Sequence, residues 1–218
     1  MLGGMLRILV VGLLVLVVAL MLIGRQGRIN APPQLATVLP EPRELPQVTL
    51  TDARGEQFST SDFAGNYSLL FFGFTNCPDI CPLSLQILAL VKDSLEKRAP
   101  ALVPQIAFVS VDPGRDSPSV IRDYLDAFDP EFIGLTAPDE DLAPLLEMLS
   151  VTVHRQDVDG ETYNMVHNGT IYVLDADGHW TALFGSAEQD VEAIAGDIVR
   201  LRRLQPTSTA TQASTPDG

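Results

Sequence analysis

The chain has 218 residues, 46% of them hydrophobic, and its 28 acidic side chains against 14 lysines and arginines give a formal net charge of −14. This charge disfavours binding to nucleic acid or to an anionic membrane surface. The length and apolar fraction allow one domain of about 150 to 170 residues with its own core. Such a domain needs no disulfide framework, so its two cysteines are available for redox or metal chemistry.

An uncharged apolar run at the amino terminus, Ile8 to Ile23, predicts a membrane helix or an uncleaved signal anchor. As a helix it would be about 24 Å long, slightly short of a hydrocarbon core of about 30 Å, and the residues beside it extend it. A cleavable signal peptide is the alternative. The predicted anchor covers residues 1–28, and arginines on both of its sides leave its orientation undecided.

Three further regions follow the predicted anchor. Closely spaced prolines in residues 29–45 favour an extended, semi-rigid spacer. The globular domain is predicted over residues 46–204. Residues 205–218 are a low-complexity segment whose composition predicts a disordered tail.

Within the domain, strand and helix patterns alternate along the chain. Strands are predicted at 48–50, 56–59, 67–73, 105–111, 132–135, 151–154, 165–174 and 179–184, and helices at 82–95, 118–128, 142–149 and 187–204. Gly55 suits the turn of the first hairpin, and Ser117 followed by Pro118 is typical of a helix start. This order predicts an α/β fold of the thioredoxin type, with a central β-sheet flanked by helices.

Cys77 and Cys81 lie in the stretch FFGFTNCPDICP, between a predicted buried strand and a helix. The carboxyl ends of strands form the working surface of such sheets, so chemistry is expected here. Pro82 disfavours a helical conformation at Cys81, which predicts that the helix starts at Pro82 with both cysteines in the preceding loop. The nearby helix amino terminus favours a thiolate at either sulfur.

Two thiolates with one imidazole suit a soft, low-coordinate ion such as copper, whereas structural zinc needs four protein ligands. The chain has three histidines. His167 precedes the break Asn168-Gly169 before a strand, and a loop there would face the cysteine loop in a thioredoxin-like fold. His154 fits a strand surface and His179 an exposed hairpin. These patterns alone leave the choice of a histidine ligand open.

Three blocks of the sequence resemble the Sco/SenC family of membrane-tethered copper chaperones. They are FGFTNCPDICP, FVSVDPGRDSP at Phe108 to Pro118, and VHNGTIYVLDADG at Val166 to Gly178, and the likeness covers roughly Leu45 to Leu204. The resemblance implies that Cys77, Cys81 and His167 hold copper, as Cu(I), Cu(II) or both. It also implies delivery of copper to the dinuclear centre of cytochrome c oxidase subunit II or a related copper oxidase, or maturation of that centre's cysteines by thiol-disulfide exchange.

The resemblance further implies one amino-terminal membrane helix and a domain in the bacterial periplasm or, alternatively, the mitochondrial intermembrane space. A copper donor protein and a thiol reductant would be additional partners. Two departures from the family pattern are visible: Asn76 stands where many members have His, and Val166 stands where many have Asp. The second affects what orients His167. Asp112 matches a recurrent family Asp, although a turn residue before Pro113 explains it equally well.

The alternative function is a thiol-disulfide oxidoreductase in which Cys77 and Cys81 form a redox-active pair. The C-x3-C spacing and the lack of a proline around His167 count against it, so a metallochaperone is favoured over an enzyme. A peroxiredoxin is a weaker interpretation because Leu70 and Phe74 stand where Pro and Thr are needed. A purely structural disulfide is the last interpretation. Two nearby side chains are expected to have no function: Asp79 is expected to be solvated, and Met165 is expected to pack in the core.

Overall fold

The structure, a computed structural model, describes residues 7, 10–21, 32–157, 163–186 and 190–204. The chain divides into two compact units, residues 1–32 and 33–218. In the first unit residues 10–21 form helix α1. Within these described ranges, no helix is both long enough and apolar enough to cross a membrane. The anchor predicted over residues 1–28 lies partly outside the described residues, and the predicted tail, 205–218, lies wholly outside them.

The second unit contains ten strands and four α-helices in its described residues. The strands are β1 Thr37–Arg43, β2 Thr49–Asp52, β3 Gln57–Ser59, β4 Ser68–Gly73, β5 Gln105–Ser110, β6 Ile133–Thr136, β7 Val153–Asp157, β8 Tyr163–His167, β9 Ile171–Leu174 and β10 Trp180–Phe184. The helices are α2 Ile80–Arg98, α3 Pro118–Leu125, α4 Asp139–Met148 and α5 Val191–Leu204. Eight strands form one sheet in the order β1-β10-β9-β4-β5-β6-β2-β3, while β7 and β8 form a separate antiparallel hairpin.

The centre of the sheet is β4, which pairs in parallel with β5 and antiparallel with β9. All six of its residues are buried, as its apolar and aromatic composition predicts for a strand covered on both faces. Leu69 and Phe71 face a core shared with α2 and α5, whereas Leu70 and Phe72 face a second core that α4 completes. Helices thus cover both faces of a mixed sheet, which confirms the predicted α/β class.

Two local predictions are confirmed by the turn chemistry. Gly55 has a φ of 85° in the turn between β2 and β3, a conformation that glycine adopts without steric cost. The Ser117 side chain accepts a hydrogen bond from the Val120 N–H at 3.4 Å, and Pro118 opens α3. Helix α3 ends at Leu125, three residues before the predicted end.

The predicted start of α2 was wrong. The helix begins at Ile80, so Cys81 lies in its first turn and only Cys77 is in the preceding loop. The steric effect of Pro82 on the residue before it is a preference, and the proline's missing N–H costs nothing within the first turn, where backbone donors have no helical acceptor. The cysteines therefore differ in backbone setting.

Strand β1 lies in the segment predicted as a spacer. It pairs antiparallel with β10 at one edge of the sheet. Prolines are compatible with an edge strand because its outer side needs no ladder donors, and Pro40 and Pro42 both fall in β1. The prolines correctly indicate extended backbone, but the backbone belongs to the domain.

Candidate functional site

The two cysteines meet at the carboxyl end of β4, as their spacing predicted. Cys77 is partly exposed, whereas Cys81 is completely buried. The Cys81 backbone N–H donates a hydrogen bond to Cys77 Sγ at 3.4 Å. Because this donor belongs to the first turn of α2, it and the helix dipole stabilise negative charge on the Cys77 sulfur.

The environment of Cys81 acts in the opposite direction. Its thiol donates a hydrogen bond to Cys77, it is buried, and the negative charge of Asp116 lies nearby; together these raise the pKa of Cys81 above that of an ordinary thiol. Cys81 therefore holds its proton more strongly than an ordinary thiol does. The two thiols are inequivalent, since Cys77 is partly exposed and Cys81 is buried.

Gly73 provides the space that Cys81 occupies. A Cβ atom at this last residue of β4 would lie 2.7 Å from Phe108 Cε2 and 3.0 Å from Cys81 Sγ, closer than side chains pack. The absence of a side chain at Gly73 therefore lets the buried sulfur sit directly against the sheet.

Replacing Gly73 by alanine should lower the free energy of unfolding by about 1 to 3 kcal/mol, because the added methyl group overpacks a site bounded by an aromatic ring and a sulfur. Urea denaturation of the full chain measures this change. Gly185→Ala is the matched control, since a Cβ there meets no atom within 4 Å and should change stability by less than about 0.5 kcal/mol. Equal losses in both variants would contradict the prediction.

The cysteine loop, residues 74–79, is tied to the domain by Asp116. This fully buried carboxylate accepts hydrogen bonds from the Thr75 N–H at 2.9 Å and from Thr75 Oγ1 at 2.6 Å. It also accepts a hydrogen bond from Ser110 Oγ, at the end of β5, at 2.6 Å. Asp116 thus connects the loop that carries Cys77 to the neighbouring strand.

The segment that follows His167 lies against the start of α2. His167 ends β8, where it pairs with Val153. Two residues later, a Cβ atom on Gly169 would lie 3.1 Å from Cγ1 of Ile80, the residue before Cys81. The turn after His167 therefore packs directly on the segment between the cysteines. The His167 side chain lies outside the described part of the chain.

Of the other two histidines, His154 is in the setting predicted for it, whereas His179 lies in the predicted hairpin but is partly buried rather than exposed. His154 is exposed on β7. His179 precedes β10, and its N–H donates to Asp175 Oδ1 at 2.9 Å within the β9–β10 turn. Asp175, Asp177 and His179 bring ligand-type atoms within 4.8 Å of one another. Hydrogen bonds from turn backbone to the Asp175 carboxylate account for this grouping.

Asp112 forms the local turn predicted for it and also contacts a distant strand. Its carbonyl closes the local turn by accepting the Arg115 and Asp116 N–H groups, and its buried carboxylate accepts a hydrogen bond from Tyr163 Oη at 2.6 Å. The sequence alone did not single out Arg115, Asp116 or Tyr163. The first two lie in the block FVSVDPGRDSP, whose family resemblance could have drawn attention to them, whereas no local pattern distinguishes Tyr163.

The remaining two side chains behave as expected. Asp79 is exposed at the amino end of α2 and makes no side-chain capping hydrogen bond. Met165 is partly buried and packs against the apolar core. Neither needs a functional explanation.

The sequence model of the SCO1/SenC family matches residues 39–203. An "SCO2-like protein" of Rickettsia felis is 35% identical over 153 residues, which cover 68% of this chain and 74% of that protein. The mitochondrial "Protein SCO2 homolog" of Mus musculus is 36% identical over 163 residues, which cover 72% of this chain and 64% of that protein.

The fold also matches a solved structure. The structure of Bradyrhizobium japonicum ScoI with copper bound superposes with a TM-score of 0.64 at 33% identity and covers 71% of this chain and 97% of that one. The region that the family model matches contains the cysteine loop, the Asp112 block and β8. The chain therefore belongs to the SCO1/SenC family.

Proposed function

We propose that this chain is a membrane-tethered copper chaperone that holds one copper ion with Cys77, Cys81 and His167. Its cargo would go to the dinuclear copper centre of cytochrome c oxidase subunit II or of a related copper oxidase. The observation that carries the proposal is the packing of the turn after His167 on Ile80, between two cysteines that are themselves in hydrogen-bond contact. The anchor, residues 1–28, would hold the domain in the periplasm or, alternatively, the intermembrane space.

The donor set fits copper. Two thiolates are soft ligands that favour Cu(I), and an imidazole nitrogen is suited to both Cu(I) and Cu(II). Copper capture would displace the proton that Cys81 retains, so binding should release protons and weaken as the pH falls. The partly exposed Cys77 sulfur provides the ligand through which a partner's cysteine would take over the ion.

The inequivalence of the cysteines favours thiol-disulfide exchange as a second candidate function. The Cys77 thiolate would attack one sulfur of a partner disulfide, forming a mixed disulfide and releasing one partner thiolate. Cys81 would then lose its proton to solvent and attack Cys77, releasing the second partner thiolate. The partner gains two electrons, and the chain is left with a Cys77–Cys81 disulfide.

Anaerobic titration of the reduced full chain with Cu(I), followed by Cu(II), tests the proposed function. Wild type should bind one ion. Because even loss of an outer-shell partner costs about 10-fold to 100-fold in metal affinity, Cys77→Ser should weaken Cu(I) binding by at least that factor. His167→Ala should have the same effect on Cu(II), whereas His154→Ala, an exposed control, should leave both affinities unchanged.

A chain that binds no copper, yet reduces an oxidised peptide carrying the two cysteines of a dinuclear copper site, would be a thiol-disulfide reductase. Unchanged Cu(II) affinity in His167→Ala would instead remove the histidine from the ligand set. The titration therefore separates the two candidate functions.

A further inference from the structure

Asp112 connects two distant parts of the chain. It follows β5, is 3% exposed, and uses both of its carboxylate oxygens. Oδ1 accepts the Tyr163 hydroxyl at 2.6 Å, and Oδ2 accepts Arg115 Nε at 2.5 Å. Tyr163 is the first residue of β8, whereas Arg115 belongs to the loop that continues to Asp116.

Arg115 strengthens the same connection. Its Nη1 donates to the backbone carbonyl of Tyr163 at 3.0 Å, and its Cζ lies 3.9 Å from the centre of the Tyr163 ring. The same guanidinium lies 5.8 Å from the centre of the Phe74 ring, at the start of the cysteine loop. Arg155 of β7 lies 3.7 Å from the Tyr163 ring centre, so two guanidinium groups stack on this ring.

The hairpin formed by β7 and β8 needs contacts with the rest of the domain, which include these polar contacts and the packing of Val153 and Met165 on the apolar core. It belongs to a two-stranded sheet of its own, and an isolated hairpin is at best marginally stable in water. Tyr163 and His167 occupy the two ends of β8, about 13 Å apart at the rise of an extended strand. Fixing the Tyr163 end therefore restricts the orientation of the strand that presents His167.

We propose that Asp112, Arg115 and Tyr163 form a latch that holds this hairpin against the domain, and that Tyr163 is a positioning residue for His167. This inference rests on the proposed function only in that His167 is taken as a copper ligand. The hydroxyl of Tyr163 contributes to copper binding through the placement of the imidazole and contacts no ligand itself.

Hydrogen exchange of the copper-free full chain tests the latch without any metal. Tyr163→Phe removes only the hydroxyl and leaves the ring in contact with the guanidinium groups of Arg115 and Arg155. Loss of a partly buried hydrogen bond to a carboxylate should accelerate amide exchange in 153–157 and 163–167 about tenfold, with little change in β4 and β5. Tyr67→Phe is the matched control. Tyr67 precedes the amino end of β4, at the end of that strand away from the cysteines, so this variant should leave amide exchange in the hairpin unchanged. Unchanged exchange in Tyr163→Phe would overturn the latch.

A double-mutant cycle tests whether the latch acts through His167. Tyr163→Phe should weaken Cu(II) binding several-fold and change the Cu(II) electron paramagnetic resonance spectrum towards that of His167→Ala. In the His167→Ala background the same substitution should have no further effect. Additive losses of Cu(II) affinity in the double variant would overturn the positioning role of Tyr163. A wild type that binds no copper would overturn the proposed function and the role toward copper, while hydrogen exchange would still decide whether the latch holds the hairpin.

Discussion

Asp116→Ala should lower the free energy of unfolding by about 3 to 4 kcal/mol and release the cysteine loop. The buried carboxylate accepts three hydrogen bonds, two from Thr75 and one from Ser110. Truncation leaves these donors facing a cavity from which water is largely excluded. Since a domain is typically stable by only about 5 to 15 kcal/mol, this loss is a large share of the total.

Urea denaturation of the full chain measures the loss of unfolding free energy. The alkylation rate of Cys81 measures how far the cysteine loop is released. The buried Cys81 thiol should react much more slowly than Cys77 in wild type and faster in Asp116→Ala. Asp116→Asn should lose less stability, because the amide keeps the size but turns one acceptor into a donor. Asp123→Ala, an exposed aspartate whose side chain is 74% accessible, should change stability by less than about 0.5 kcal/mol. The prediction would be contradicted if Asp116→Ala had the same stability and the same Cys81 alkylation rate as Asp123→Ala.

Asp197→Ala should cost about 2 to 4 kcal/mol, because this fully buried carboxylate fixes the point at which the chain enters the domain. It accepts the backbone N–H groups of Gln34, Leu35 and Ala36 at 2.7 to 3.0 Å and Arg200 Nη1 at 2.6 Å. Its removal leaves three backbone donors and a guanidinium without this acceptor, immediately before the edge strand β1.

The matched control for Asp197 is Asp93→Ala, which removes an exposed carboxylate paired with Lys97 four residues along α2. Exposed pairs of this kind contribute about 0.3 to 0.5 kcal/mol, so the two variants should differ clearly in urea denaturation. A loss in Asp197→Ala no larger than in Asp93→Ala would show that β1 docks without the buried carboxylate.

The effect of Asp197 should depend on pH. Burial opposes ionisation of this carboxyl, but its three backbone donors and Arg200 outweigh burial and hold its pKa below the ordinary range. The stabilisation is therefore complete above the unfolded-state pKa of about 3.9 and is lost as the pH falls through the lower folded-state pKa. The difference between wild type and Asp197→Ala should narrow below about pH 4. A difference independent of pH would show that the carboxyl does not act as an anion.

Local patterns predicted much of the fold because their causes are local. The buried run at β4, the glycine turn before β3 and the Ser117 cap all follow from the conformational preferences of neighbouring residues. The start of α2 was misplaced because Pro82 imposes only a preference on Cys81. Strand β1 was missed because its pairing partner, β10, lies near the other end of the domain.

The candidate site divides in the same way. The cysteine spacing and the break after His167 are visible in the sequence, and together with the family resemblance they predict that Cys77, Cys81 and His167 are copper ligands. The inequivalence of the cysteines is not visible, because it arises from the hydrogen bond of the Cys81 thiol to Cys77 and from the burial of Cys81. A thiol's environment is set by elements that pack on it from elsewhere in the chain.

The sequence by itself determined most of the order of strands and helices, the family and the pair of thiols at the end of a central strand. Only the tertiary structure decided which polar side chains hold the site together: Asp116 on Thr75, and Asp112 on Tyr163. The physical reason is that these hydrogen bonds join residues 41 and 51 positions apart. Such pairs leave no periodic or turn signal, and the residues meet only when the sheet and the hairpin have packed.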